Sequence, residues 1–373
     1  MEIIIGGDLV PTLSNISLFE EGDITTLLGV ELLSLWNSVD FRVFNLEVPL
    51  TDNRTPIEKC GPSLFSPISV INGIKAMNPS LVLLANNHIL DQGKCGFDST
   101  KKILNKYDIP FVGAGDNIYE ASRPFIINKD NMKIGIYACT EHEFTIATEN
   151  SPGANLFDPF ESLDHIIKLK NECNYVIVIY HGGKEHYRYP SPYLQKVCRK
   201  IAQKGADLVI CQHSHCIGAY EQIGESRIIY GQGNLLFDYS ENEFWQTSLL
   251  IRIRISNKFE IDYIPIKKYG KCIKLAFGKT SEDILKTFYQ RSSDILKPGF
   301  IQQKYEEFAG KELFKYFRYF AGYGKWLSRI DRLLMKGLLI KLKYKKNQLQ
   351  IIQNIIECEA HKELIIAGLK NKK

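Results

Sequence analysis

The sequence predicts an α/β layered domain over residues 1–270 and a basic, mainly helical extension over residues 271–373. Two observations carry that reading. Short apolar runs, often β-branched, recur through residues 1–265, each followed at once by polar residues or glycine, with helical patterns between them. The charge also divides: residues 264–373 hold 24 Lys and Arg against 10 Asp and Glu, whereas the remainder holds 23 against 32.

The elements follow in order. EIIIGGD at 2–8 reads as a strand ended by Gly-Gly-Asp, and FRVFNLE at 41–47 and LVLLANNH at 81–88 as the next two. KIGIYACT at 133–140, YVIVIYHGG at 175–183, DLVICQHSH at 207–215 and RIIYGQGN at 227–234 repeat the form. Between them, GFDSTKKILNKY at 96–107 and PYLQKVCRKIAQKG at 192–205 carry helical patterns, the second closed by a Lys-Gly stop. TSLLIRIRISNKFEIDYIPIKK at 247–268 alternates apolar and charged residues about a turn at Ser256-Asn257-Lys258, an antiparallel hairpin with one wet face that closes the first domain. Beyond about residue 280 the pattern is helical, basic and rich in aromatics.

Composition narrows the classes. At 45% hydrophobic and 24% charged residues the chain is ordinary globular material, not disordered, collagen-like or coiled-coil. No apolar run approaches the roughly 20 residues that span a bilayer. MEIIIGGDLV has no basic segment before an apolar stretch, so the sequence predicts no secretory signal and a cytoplasmic protein. The nine cysteines are odd in number and form no CxxC, which predicts reduced, mostly buried thiols rather than a disulfide framework or a zinc ribbon.

Functional groups of α/β sheets gather beyond the carboxyl ends of strands. Here those positions hold Asp8, Asn45 with Glu47, Asn86 with Asn87 and His88, His181 with Glu185, and His213 with His215. Carboxylates, an amide and imidazoles form a mixed nitrogen and oxygen set suited to Mn, Zn or Fe, without the thiolates of a structural zinc site. Taken singly, each has a plainer reading: Asp8 as a turn residue, Asn86-Asn87 as turn chemistry, the histidines as hydrogen-bonded core. The joint pattern at the same end of five strand-like runs is what points to a site.

The order of these groups resembles the calcineurin-like metallophosphoesterase superfamily, and within it the CapA family of poly-gamma-glutamate capsule biosynthesis proteins. The resembling pieces are GGDLV, FNLEVPLT, LANNHILDQGKCGFDSTKKIL, GAG, IYHGGKEHYRYPSPY, GADLVICQHSHCIGAYE and IIYGQGNLLFD, together spanning about residues 3–265. The resemblance implies a four-layer αββα sandwich with one or two divalent metal ions between the sheets. It implies Asp8 on the first metal, Glu47 as the bridging carboxylate, Asn87, His181 and His213 on the second, and His215 returning to the first. It further implies His88 as acid or transition-state donor, Asp91 as the group orienting it, Glu185 as a pocket acid or base, and Asn234 as support. The chain departs from the broader superfamily at Val10, where a histidine is common, and at Cys211-Gln212 and Ser214 around the last pair of histidines. These departures leave a mononuclear site open.

A site of this kind serves phosphoester or amide and gamma-glutamyl hydrolysis alike. The resemblance implies a role in capsule or exopolymer biosynthesis, with an anionic polymer or its precursor as substrate and capsule-synthesis proteins as partners. Lys59, Lys184 and Arg188 are candidate contacts for such an anion. Two alternatives stay open: a non-catalytic accessory subunit of a polymer synthase complex, and a metal-independent peptide isomerase using Asp8, His88 and their neighbours. Residues 311–346 set eight aromatics among Lys and Arg. They read as a helical cap or as a peripheral membrane contact. Nucleic acid is disfavoured, because no nucleic-acid motif accompanies them.

Overall fold

The computed structural model describes residues 1–238, 240–256 and 258–370. Asn257 of the expected hairpin turn and residues 371–373 of the expected extension lie outside the described residues. The chain forms two compact units, Met1–Ile301 and Gln302–Lys373.

The first unit is an αββα sandwich built on two sheets. One runs in the order Cys272–Leu275, Phe259–Tyr269, Thr247–Ile255, Glu2–Val10, Phe41–Leu46, Leu81–Leu83, Phe111–Val112, with Leu236–Phe237 also pairing with Glu2–Val10. The other runs Tyr220–Ile223, Ser226–Ile229, Leu208–Gln212, Tyr175–His181, Met132–Thr140, Phe125–Lys129. Within each sheet the central strands are parallel, so their carboxyl ends lie at one edge.

Alternation of side chains along the strands assigns the layers. In Glu2–Val10, Ile3 and Ile5 join a core with Ile134, Ile136, Ile177, Ile179, Leu208 and Ile210 of the second sheet. Ile4, Leu9 and Val10 face the other way, into a core shared with Phe19, Leu32, Trp36, Ile74 and Phe97 of the helices covering the first sheet. A third core packs Val176, Val178 and Val209 against Leu169, Val197, Cys198 and Ile201 of the helices Glu161–Glu172 and Pro192–Gln203. At about 25 cal/mol per Å² of apolar surface removed from water, these three cores are the main stabilising term.

The hairpin expected over 247–268 is present, and Thr247–Ile255 lies antiparallel beside Glu2–Val10. Arg252 and Arg254 both pair with Asp262 on its outer face. The expected helices are Gly93–Lys106 and Pro192–Gln203. The second begins with Ser191 accepting a hydrogen bond from the Leu194 N–H and with Pro192 at its first position, a strong helix start. The helix Gly278–Asp294 lies within the first unit, beyond the point where the sequence turns basic. Its Phe288 is fully buried against Tyr220 and Tyr263. All nine cysteines are free, and six of them are buried. Cys211 and Cys216 are among the buried ones, consistent with packing roles.

The second unit is helical throughout, from the later part of Phe300–Ala321 to Glu359–Lys370. No helix among the described residues is long and apolar enough to cross a membrane.

Candidate metal centre

The strand ends converge where the two sheets face each other. Asp8 pairs across the first sheet with Asn45, at a register shift that follows Ile5. Gly6 and Gly7 occupy that shift, and a Cβ on Gly7 would lie 1.9 Å from the Gly233 carbonyl oxygen. Glycine is therefore required for the GQGN loop to approach the first strand. The Leu235 N–H donates to the Asp8 carbonyl at 2.9 Å, which fixes that approach. His213 and His215 sit in left-handed backbone, with φ of 83° and 54°. Such conformations are rare for non-glycine residues and persist where the surroundings enforce them, often at functional sites.

Three groups of ligand-type atoms result among the described residues: one, Glu141 with Glu143 and His213, is only partly buried, and the other two are fully buried. Glu47, His181 and His213 each offer one atom within 4.8 Å of the others, and so do Asp8, Glu47 and His215. Glu47 belongs to both buried groups. It is fully buried, and neither of its oxygens has a hydrogen-bond partner among the described residues. Its Oε1 lies 3.3 Å from His181 Nε2. Asn87 Oδ1 lies 3.0 Å from the same nitrogen. His215 Nδ1 is 3.5 Å from Asp8 Oδ2 and 2.8 Å from Asn234 Oδ1. A buried carboxylate without donors is costly unless a cation or proton compensates it. The residues present thus fit a divalent ion, by donor chemistry and by a buried Glu47 carboxylate that accepts no hydrogen bond among the described residues and meets only the His181 ring at 3.3 Å.

Supporting amides hold these groups. Asn45 Nδ2 donates to Asp8 Oδ1 at 2.7 Å, and Asn86 Nδ2 donates to Asn45 Oδ1 at 3.0 Å and to the Leu46 carbonyl at 2.9 Å. Asn86 Oδ1 accepts from the His88 N–H at 3.1 Å. Val10 is buried in the helix-facing core and so lies outside the cluster.

The electrostatics match a site that exchanges protons for a cation. Burial alone would lower the pKa of His215, but Glu47, Asp8 and Asn234 outweigh it and raise it to about 9. Burial would likewise lower His181, yet Glu47 and Asp8 hold it above its ordinary value. Burial, then His181, His215, His88 and Lys184, push His213 well below the ordinary imidazole range. Burial pushes Asp8 up, but His215, His181 and Asn45 together hold its carboxyl below the ordinary value.

His88 is buried beside this cluster. Its Nδ1 lies 2.6 Å from Asp91 Oδ2, which also accepts from the Leu64 N–H at 2.6 Å. Asp91 Oδ1 accepts from Lys59 Nζ, and that ammonium lies 3.3 Å from His88 Nδ1. Lys59 reads in the sequence as a loop lysine facing substrate, whereas its side chain is only 3% exposed and tied to Asp91. Arg188 donates to the Ile217 carbonyl and to Glu243, the latter at 2.7 Å. Glu185 is exposed and belongs to none of the ligand groups.

Glu141 is a candidate that the sequence reading passed over. It follows the strand Met132–Thr140, its Oε2 accepts from the Gly183 N–H at 3.1 Å, and its Oε1 lies 3.9 Å from His213 Nε2. Burial pushes its carboxyl above the ordinary range, partly offset by the Gly183 N–H. The signal was its place at a strand end, shared with every other member of the cluster.

The family of bacterial capsule synthesis proteins known as PGA_cap matches residues 2–239, the stretch that supplies all of these groups. The chain belongs to that family. The capsule biosynthesis protein CapA of Bacillus anthracis is 26% identical over 237 residues, covering 61% of this chain and 58% of that protein. A probable polyglutamine synthesis accessory protein of Mycobacterium tuberculosis is 26% identical over 182 residues, covering 45% of this chain and 48% of that protein. The chain therefore spans about half to three-fifths of the length of these curated relatives. A crystal structure of a novel phosphatase from Mycoplasma pneumoniae aligns with a TM-score of 0.42 and 14% identity, over 73% of this chain and 90% of that one. In this PGA_cap member, buried carboxylates and histidines gather where the two sheets meet.

Proposed function

We propose that this PGA_cap protein is a metal-dependent hydrolase acting on a phosphoester or a gamma-glutamyl amide of an anionic cell-surface polymer or its precursor. The observation that carries the reading is Glu47, a fully buried carboxylate without hydrogen-bond partners among the described residues, shared by two ligand groups.

Asp8, Glu47 and His215 would hold one divalent ion, and Glu47, Asn87, His181 and His213 a second. The ion supplies polarisation of the scissile group and a nucleophile from water near neutral pH. The chain's own residues do the rest. Asp91 occupies His88 Nδ1 at 2.6 Å, which leaves Nε2 as the ring atom that carries the exchangeable proton to the leaving group. Lys59 and the Leu64 N–H hold Asp91 in place, so the imidazole is fixed in orientation before substrate arrives. Glu141, beside His213 and with its carboxyl shifted upward by burial, is a further acid or base next to the second ligand group.

The test is turnover of aryl phosphoesters and gamma-glutamyl amides by the metal-loaded chain, by the chelated chain and by His88→Ala. The hydrolase reading predicts activity lost with chelator and restored by metal, and a loss of about 10²–10⁴-fold in His88→Ala. Turnover unaffected by chelator contradicts it and favours a metal-independent isomerase. A second reading, an accessory subunit of a polymer synthase, draws support from the description of the mycobacterial relative. It predicts no turnover by any metal-loaded form, with retained binding to synthase components.

A further inference from the structure

The helix Lys325–Leu333 of the second unit has an apolar side that faces solvent. Trp326, Leu327, Ile330, Leu333 and the following Leu334 fall on one side of a 3.6-residue helix, and all five are exposed. The inward groups of this unit are others. Ile340 is buried, Phe317 stacks on Tyr344 with ring centroids 4.8 Å apart, and buried Asp331 accepts from the Leu339 N–H at 2.9 Å.

The charge around that face is predominantly positive. Residues 311–346 hold 11 Lys and Arg against two acids, Glu312 and Asp331, and Asp331 is turned inward. Lys315, Arg318, Tyr319, Lys325, Arg329 and Arg332 line an open cavity of about 710 Å³. The helix thus presents tryptophan and leucines on one side, and on the other the arginines and a lysine that border a roomy basic cavity.

From this juxtaposition we infer that the Trp326 face is a docking surface for an anionic phospholipid bilayer, with the basic cavity receiving lipid phosphates. Charge complementarity selects the occupant. A soluble polyanion would use the arginines and leave five large apolar side chains in water, whereas a bilayer takes both: acyl chains for the apolar face and headgroup phosphates for the cations. The contact is one of lying on the surface, since no helix among the described residues can cross a membrane. This inference stands apart from the hydrolase reading.

The three tryptophans provide the readout. Trp36 and Trp245 are 0% and 8% exposed, whereas Trp326 is 75% exposed, so a change in emission on binding reports Trp326. The experiment mixes the full chain with vesicles of phosphatidylglycerol and phosphatidylcholine, or of phosphatidylcholine alone, following co-sedimentation and tryptophan emission. The expected result is sedimentation with the anionic vesicles and a blue shift, both weakened by salt. Arg329→Gln with Arg332→Gln should weaken binding about 25-fold, from about fivefold per basic residue. Leu333→Asp with Leu334→Asp should remove the blue shift. Both pairs are exposed, and unchanged far-ultraviolet circular dichroism verifies that these variants fold. The inference is overturned by absent binding to anionic vesicles at low salt, by equal binding to both vesicle types, or by shielding of Trp326 from soluble quencher in the free chain. Capture of soluble polyglutamate in preference to vesicles, without an emission shift, also overturns it and assigns the surface to a polymer.

Discussion

The metal-free site should trade stability against pH in a direction opposite to its metal affinity. His215 carries a pKa raised from 6.5 to about 9 by Glu47, Asp8 and Asn234, against the lowering effect of burial. A folded-state value above the unfolded one means that protonation of His215 stabilises the fold. That contribution is complete below about pH 6.5 and is lost as pH rises through about 9. At 1.36 kcal/mol per pKa unit the loss is roughly 3 kcal/mol, and the raised pKa of His181 adds to it in the same sense. Cation binding runs the other way, because the proton on His215 must leave first. One displaced proton strengthens apparent affinity about tenfold per pH unit below 9, or about a hundredfold from pH 6.5 to 8.5. The assay is urea unfolding of chelator-stripped chain at pH 6.5, 7.5 and 9, repeated with Mn or Zn, alongside competition titrations of affinity. Metal-free stability that rises or stays level across this range, or affinity that does not strengthen with pH, refutes the reasoning.

Three further outcomes follow from the same contacts. Lys59→Met strips a buried ion-pair partner from Asp91 and should destabilise the first unit by about 3 kcal/mol in urea unfolding, while Lys59→Arg should recover part of the loss. Asp91→Asn should lower turnover while metal content stays at the wild-type level, separating the orientation of His88 from metal binding. Phe288→Ala should cost the first unit about 3–5 kcal/mol, measured by thermal or urea unfolding, if the helix Gly278–Asp294 is integral to the sandwich.

Much of this architecture is legible in the sequence because two physical patterns coincide. Strands buried on both faces read as continuous apolar runs, and the groups beyond their ends read as ligand types. Asp8, Glu47, His181, His213 and His215 are found that way, and the structure brings them together. Lys59 and Glu141 are harder to see. Lys59 lies in a loop without periodicity, and nothing local announces that its ammonium is buried under Asp91. Glu141 opens a polar run, EHEFT, that reads as ordinary loop, although it follows an apolar strand as the others do. Glu185 shows the converse: motif spacing singles it out, and it lies exposed. The helix Gly278–Asp294 reads as helix, but its place in the first unit is hidden, since charged and polar residues surround the few side chains, Ile284 and Phe288, that anchor it.

The central claim is that the converging carboxylates and histidines bind a divalent cation. It is tested most directly by elemental analysis of chain purified without chelator, for wild type and for His213→Ala combined with His215→Ala. The account predicts one or two equivalents of Mn, Zn or Fe in the wild type and loss of that metal in the double variant. A wild-type chain that holds no metal even after reconstitution, or a double variant that keeps the full complement, contradicts it.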